Sequence, residues 1–532
     1  MNGSLILLLH AHLPFVKHPE YEYSLEENWL FEAVRESYVP MIEMLDRLAD
    51  KGMSPHIAMT ISPTLSEMLN DTLLRERFIR STENLIELSC SEINRLRNTP
   101  FEQVARFYNR RLKKILGLYT GPYKQDIINA LCRLQSEGVV EIMTTCATHA
   151  FLPAFEHFPE LAETQIAVGI MSYKRNFGRQ PSGFWLPECG YYTGLDALLK
   201  KVNIRYFFLE SHGLTKGIPK PRFGVSMPVV LPSGLIAFGR DSKPAKQVWC
   251  AETGYPGDDD YRDFYRDVGF DLPVDYISGH TKINIPTFTG LKYHRITGRT
   301  PDKAVYDRGL ALKKAKKHAA HFVKSRKNDL RKIGDECKPL TLSAFDAELF
   351  GHWWFEGVEW LGHVLETASK RGLGIETPQS YLRKIEDQDL DVLEPAPSSW
   401  GAGGYNEFWI SGKNRHYHRE LHAMAGKMKI LAELNARTGP KNGKKGALCK
   451  RTINQALREM LLAQSSDWLF LIENQRGEGY AEARLKKHIQ TFDKLFSMAG
   501  SGEIDTETLE ETEKRDSLFK WATIENCYKR SA

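Results

Sequence analysis

Polar side chains stand wherever the strand-like apolar runs of this chain end. "SLILLL" (4–9) leads into His10 and His12, and "GFWLP" (183–187) into Glu188. "GLIAFGR" (234–240) closes on Arg240 with Asp241 behind it, and "LTLSAF" (340–345) gives way to Asp346. Trp185, Trp353, Trp354, Trp400 and Trp409 lie in or beside these segments. Two carboxylates among many aromatic rings are the equipment of a glycosidase. One carboxylate serves as nucleophile or base and the other as acid around an oxocarbenium-like state. Glu188 and Asp346 are the obvious pair. The "HAH" at 10–12 permits a second chemistry, because residues i and i+2 of a strand point the same way. The two imidazoles could hold a metal with Asp241 or Asp346 as third ligand, as in a metal-dependent deacetylase. No third and fourth ligand stand at recognisable spacing, so His10 is read as a hydrogen-bonding residue of a sugar pocket, with no metal and no cofactor.

Such residues converge only if the runs that carry them share a face. "SLILLL" is continuously apolar, the mark of a parallel strand buried on both sides. "PHIAMT" (55–60), "VVEIMTT" (139–145), "GFWLP", "RYFFLE" (205–210), "GLIAFGR" and "PLTLSAFD" (339–346) follow. Amphipathic stretches at 29–50, 160–178 and 192–202 lie between them. Strands alternating with helices give an α/β fold with a parallel sheet, and this many units favour closure into a barrel. Active residues of such barrels project from the C-terminal strand ends, where the polar residues above stand. The absence of a G-x-G-x-x-G or P-loop pattern removes support for a nucleotide-binding sheet. Residues 64–136 read as a helical insertion. After about 410 strand signals vanish, and "HRELHAMAGKMKILAELN", "RTINQALREMLLAQ" and "EARLKKHIQTFDKLFSM" predict a terminal helical domain.

The 532 residues are 42% hydrophobic and 26% charged, an ordinary globular balance. A net charge of +5 is too weak to imply a nucleic-acid partner. The basic run at 308–332 fits a solvated helix face, and 437–451, with its Gly and Pro, reads as a surface connection. The 8 cysteines include no C-x-x-C pair and fit a reducing compartment. The short apolar run at the start lacks a basic flank, so no secretory signal is read there. No apolar stretch is long enough to span a membrane. The expected location is cytoplasmic, with no membrane partner.

Longer segments carry a resemblance. "HAHLPF" (10–15), "VVEIMTTCATHAFLP" (139–153), "GFWLPECGY" (183–191), "TLSAFDAELFGHWWFEG" (341–357) and "LLAQSSDWLF" (461–470) resemble the five signature regions of glycoside hydrolase family 57. "ENWLFEAVRESYVP", "GYPGDDDYRDFYRDVGFD", "KYHRITG" and "SSWGAGGYNEFW" are similar to the family's 1,4-α-glucan branching enzymes. The resemblance implies a retaining enzyme acting on α-1,4-glucan. It implies an incomplete (β/α)7 barrel over 1–400, with the helical insertion at 64–136, and a helical domain over 401–532 that completes the substrate groove. It makes Glu188 the nucleophile and Asp346 the general acid/base. Substrate-binding roles are implied for His10, Arg262, Gly279, Trp400 and Asp467, joined by His12 and Arg240 from the strand ends. Trp29, Trp249, Phe270 and Trp409 look like aromatic members of the glucan groove. Trp468 reads equally as helix packing or sugar platform, and Cys189 as a small packing residue.

Branching enzymes of this family resemble "YAPVYTPSG" in a mobile loop before the "FGRD" strand, where this chain has "SMPVVLPSG" (226–234). Ser226 and Val230 replace the expected tyrosines, which predicts poorer exclusion of water and a share of hydrolysis. The alternatives are therefore an α-amylase or 4-α-glucanotransferase of the same family. A glucan-binding protein without catalysis is a further class, disfavoured by the intact carboxyl pair.

Overall fold

A computed structural model describes residues 3–528 apart from 251, 335, 438–442 and 478. The continuously apolar runs become parallel strands: β1 (Ser4–Ala11), β2 (Ile57–Ile61), β3 (Val140–Met143), β4 (Gly183–Phe184) and β5 (Tyr206–Leu209). A two-residue strand, β6 (Val229–Val230), precedes β7 (Ile236–Gly239), β8 (Leu340–Asp346) and the short β9 (Gly374–Ile375). They pair in the orders β3-β2-β1-β8, with β9 beside the start of β1, and β4-β5-β7-β6. Only β6 runs antiparallel to its neighbour. The halves join where Thr144 bridges Phe184 and the Trp185 N–H donates to Thr144 O at 2.9 Å. At the opposite seam β7 and β8 do not pair, and the Asp241 N–H reaches across to Leu342 O at 3.0 Å. The result is a barrel of seven parallel strands with an incomplete wall.

Helices alternate with the strands and bury their apolar stripes on them. α1 (Glu27–Glu32) and α2 (Val39–Asp50) are joined by a π-helical turn over Ala33–Tyr38. The turn widens the helix inside the stretch read as one amphipathic helix, and it re-aims Arg35, Glu36 and Tyr38. The expected insertion is α3 (Pro63–Asn70), α4 (Thr72–Arg95), α5 (Glu102–Thr120) and α6 (Ile127–Ser136). Ser62, Asp71 and Asp126 accept backbone N–H groups at the starts of α3, α4 and α6, as N-caps do. α7 (Pro159–Phe177), α8 (Leu195–Lys201), α9 (Ser211–Thr215) and α10 (Ser242–Trp249) follow. Among the described residues, 250–307 form a largely irregular excursion whose α-helices are α11 (Val268–Asp271) and α12 (Val274–Thr281), with a 3-10 turn at Tyr255–Gly257, which the strand-and-helix pattern did not anticipate. α13 (Arg308–Arg331) is the basic helix, its lysines outward and Ala311, Ala315, Ala319, Phe322 and Val323 buried. α14 (Gly357–Lys370) and α15 (Pro378–Lys384) complete the barrel region. Beyond 414 the described chain is helical: α16 (Arg415–Arg437), α17 (Gly443–Ala463), α18 (Ser466–Glu473), α19 (Tyr480–Ser501), α20 (Thr506–Arg515) and α21 (Ile524–Cys527). No helix among the described residues is long and apolar enough to cross a membrane.

Two local expectations are corrected. The run 437–451 is not a simple connection, since α17 begins at Gly443; residues 438–442 lie outside the described part. Its lysines are exposed while Cys449 and Ile453 are buried, so the basic residues mark a helix face. The segment 226–234 is not a loop over the strand ends. Val230 pairs with Ile236, the first residue of β7, and its N–H and C=O bond Asp391 and Leu393. Position 230 therefore sits at the N-terminal end of the barrel, opposite the face on which Glu188 and Asp346 stand.

Candidate active site

Glu188 follows β4 in a single 3-10 turn, Pro187–Cys189, with φ of +59° at Glu188 and +50° at Cys189. Two successive non-glycine residues in the left-handed region cost on the order of 1 kcal/mol each or more. The Cys189 N–H donates to Leu186 O at 2.9 Å, and the Trp400 N–H donates to Glu188 O at 3.0 Å, which holds the turn. The carboxylate receives two donors: Trp400 Nε1 at 2.8 Å on one oxygen and Ser466 Oγ at 2.9 Å on the other. Cys189 is buried and its thiol pushed well up by burial, consistent with packing.

Asp346 ends β8 and lies in register with His10 on β1. Among the described residues no hydrogen-bond donor reaches its carboxyl group. Burial pushes Asp346 up to about 6 against the pull of Arg240 and His12. Burial pushes Glu188 up to about 7, opposed by the Trp400 and Ser466 hydrogen bonds and reinforced by Asp467 and Asp346. Near neutral pH the two carboxyls thus share about one proton and titrate as a pair. Taken one by one, the two values would put that proton on Glu188. The two donors aimed at Glu188, against none at Asp346, favour the anion on Glu188, and that is the arrangement we adopt.

The histidines form a chain behind Glu188. The Ser466 hydroxyl has one proton and gives it to Glu188, so His149 Nδ1–H donates to Ser466 Oγ at 2.9 Å. His149 Nε2 is then the acceptor for His10 Nε2–H, also at 2.9 Å. Burial keeps both rings neutral by lowering their pKa well below the usual value. Burial also acts against the charge on His12, but Asp467 at 3.0 Å outweighs it and raises its pKa; His12 Nδ1 meets Ser62 Oγ at 2.9 Å. His10 Nε2 and both nitrogens of His12 and His149 are spent on these bonds, while His10 Nδ1 is buried without a partner. Among the described residues these rings and the nearby carboxylates do not gather their ligand atoms at a common point, so the geometry lends no support to the metal-hydrolase alternative. Asp241 is likewise occupied, capping α10 through the Lys243 N–H.

Arg240 Nη1 meets Glu210 at 3.0 Å, and its guanidinium lies 5.0 Å from the Trp400 ring centre. A third carboxyl, Glu348, is pushed by burial up to about 7; it accepts from Tyr38 and from the His12 N–H. His10, His12, Glu188, Arg240, Asp346, Trp400 and Asp467 thus belong to one linked set. Sequence reasoning missed His149, Ser466, Glu210, Glu348 and Tyr38. All five stood inside quoted segments, but nothing in spacing alone joined Ser466 or His149 to Glu188.

The remaining expected residues lie elsewhere. Trp409 is 1% exposed and stacked 4.6 Å from Phe151, so it is core and not a groove platform. Trp468 is buried with Nε1 donating to Leu462 O, which settles it as helix packing. Trp29 is half-buried against Tyr480, Trp249 is exposed at the end of α10, Phe270 is half-exposed against Phe288, and Gly279 is open on α12. Arg262 is buried, its side chain closed in by Glu36 at 3.4 Å, by His352 O at 2.6 Å and by the Phe355 ring. It anchors the 250–307 excursion to the π-helical turn. Gly351, with φ of +99°, lets that turn approach closely, since a Cβ there would meet Glu36 O at 2.0 Å.

This anchor has a measurable signature. Burial would raise the Glu36 pKa, but Arg262 and His352 outweigh it and pull it down to about 2. A depressed carboxylate stabilises the fold above its unfolded pKa of about 4.5, and that contribution disappears as pH falls through the folded value. Acid titration of melting temperature should therefore show a loss between about pH 4.5 and 2, absent in Glu36→Gln. The full contribution is about 3 kcal/mol.

Trp400→Phe removes the indole N–H from Glu188 and keeps a ring. A lost charge-assisted hydrogen bond of about 1.5–3 kcal/mol corresponds to roughly a 10–100-fold fall in kcat/KM. Because a donor to the anion is gone, the acid limb of the pH profile should move to higher pH. An unmoved limb would show that Trp400 acts only by packing.

Residues 6–394 match glycosyl hydrolase family 57, and residues 420–526 match the C-terminal domain of 1,4-α-glucan branching enzymes. The chain belongs to glycosyl hydrolase family 57 and is an enzyme of that family. Its fold is similar to the α-amylase AmyC of Thermotoga maritima, with TM-score 0.91, 38% identity and 100% of both chains covered. It is also similar to the family 57 branching enzyme of Thermococcus kodakaraensis, with TM-score 0.88, 28% identity, and 100% of this chain and 97% of that one covered. In sequence comparison the Thermococcus branching enzyme is 31% identical over 98% of this chain and 78% of its own length. A probable 1,4-α-glucan branching enzyme of Mycobacterium tuberculosis is 28% identical over 97% of this chain and 96% of its own length.

Proposed function

We propose that this chain is a retaining 1,4-α-glucan branching enzyme. Asp346 protonates the glycosidic oxygen as the Glu188 carboxylate attacks the anomeric carbon, breaking an α-1,4 linkage and leaving the donor chain as an ester on Glu188. Asp346, now a carboxylate, removes the proton from a glucan 6-hydroxyl, whose oxygen displaces Glu188 and forms an α-1,6 branch. Two inversions give net retention. The observation that carries this reading is the pair of burial-raised carboxyls at the ends of β4 and β8, with both donors assigned to Glu188. A working pair that needs one proton gives a bell-shaped kcat/KM profile with its maximum between about pH 6 and 7.

Hydrolysis is the second reading, and one observation favours it. The segment 226–231 descends along β7 to the far end of the barrel, so it offers no cover over the strand ends where water must be excluded. The similarity to an α-amylase agrees with this. Because Val230 is remote from the site, Val230→Tyr is expected to leave the ratio of transfer to hydrolysis unchanged. Incubation with amylose, counting new α-1,6 linkages against new reducing ends, tests the proposal. Branches in excess of reducing ends support it, and reducing ends without branches make the enzyme an amylase. The 8 cysteines are all free, which supports a cytoplasmic place in glycogen-type glucan synthesis.

A further inference from the structure

Arg35 stands on the π-helical turn, 5% exposed, and no hydrogen bond or ion pair reaches its guanidinium among the described residues. Its Nη1 is buried without a partner. A buried, unpaired guanidinium is costly, because five fixed N–H donors have left water. Glu32 and Glu36 compensate its charge through space but do not bond it. Arg35 lines a narrow, solvent-open cleft between α1, α4 and residues 281–288. Asn28 of α1 and Asn84 of α4 line the same cleft, and neither side-chain amide is engaged in a hydrogen bond among the described residues. Tyr23, Phe31 and Phe288 supply rings. Arg80 is committed to the cleft wall, lying 4.6 Å from the Tyr23 ring and donating to Glu22 O at 2.9 Å.

Free amides, an unpaired guanidinium and aromatic walls match a sugar residue, which offers hydroxyls of both polarities and apolar C–H faces. An anion matches less well, because Glu22 and Glu27 also line the cleft. The position fits as well. Phe288 touches Phe270, and the cleft shares α1 with Trp29 and α12 with Gly279. These are three expected groove residues that do not reach Glu188 or Asp346. We infer that this cleft is a distal binding site for a glucose unit of a long α-glucan chain, held by Arg35, Asn28 and Asn84. The inference rests on the α-glucan reading above.

The test compares wild type, Asn84→Ala, Asn28→Ala and Arg35→Gln in gels containing amylopectin, alongside turnover of maltoheptaose. Retardation by amylopectin should weaken at least threefold in Asn84→Ala and Asn28→Ala, with turnover of maltoheptaose within twofold of wild type. If Arg35→Gln does not fold, the two exposed-side asparagine variants decide. Unchanged retardation in both, with wild-type melting and maltoheptaose turnover, overturns the cleft as a sugar site while leaving the catalytic reading intact. Protection of the cleft by inorganic phosphate but not by maltotriose overturns it in favour of an anion. A wild type that does not act on maltoheptaose or amylose removes the α-glucan reading and this inference with it.

Discussion

Glu188→Ala is expected to lose at least 10⁴-fold in kcat on amylose while keeping the fold and glucan binding. Removing a covalent nucleophile removes the whole intermediate, so the loss is far larger than that of one hydrogen bond. The strained turn makes the prediction sharper. Alanine at φ of +59° pays the same backbone strain as glutamate, and the Trp400 N–H still holds the main chain. The melting temperature should therefore change little, since relief of a buried carboxyl offsets the loss of an acceptor for Trp400 Nε1–H and Ser466 Oγ–H. A large fall in stability would mean that Glu188 is a structural residue of the Ser466–His149–His10 chain.

Asp346→Asn is expected to divide substrates by leaving group. Natural glucan needs a protonated leaving oxygen and should lose about 10³-fold or more, whereas an activated aryl glycoside needs little protonation and should lose much less in its first step. The fold should tolerate the change. Asp346 accepts no hydrogen bond among the described residues, and burial already holds its pKa at about 6. Asparagine replaces it without leaving a partner stranded. Equal losses on both substrates would assign Asp346 to substrate positioning.

The barrel was legible in the sequence because parallel strands buried on both faces read as unbroken apolar runs. The seven runs from "SLILLL" to "PLTLSAFD" became β1, β2, β3, β4, β5, β7 and β8. Glu188 and Asp346 were legible for the same reason, since each stands where such a run stops. What spacing hides is any partner brought in by the fold. Ser466 lies on the helices after residue 414, yet it donates to Glu188, and His149 supports Ser466 from the end of a different strand segment. Arg262 was read as a substrate contact only through the resemblance of its segment to the family's branching enzymes. Its burial under Phe355 follows from Glu36, whose direction is set by a π-helical turn that no periodicity announces. Val230 was expected in a mobile loop through resemblance to the family's pattern, and a two-residue strand is too short to show the period of two that would have marked a hairpin at the barrel base. Trp409 was misassigned because a tryptophan in a loop carries no sign of which surface it meets.

The most direct measurement is to trap the glycosyl-enzyme with a fluorinated maltosyl donor and locate it by mass spectrometry of peptides. Retaining cleavage by this pair predicts one adduct, on the peptide "GFWLPECGY" at Glu188, absent in Glu188→Ala and accumulating in Asp346→Asn with an activated donor. An adduct on Asp346, on Glu348 or on any other residue, or inversion at the anomeric carbon with no adduct at all, would contradict the account.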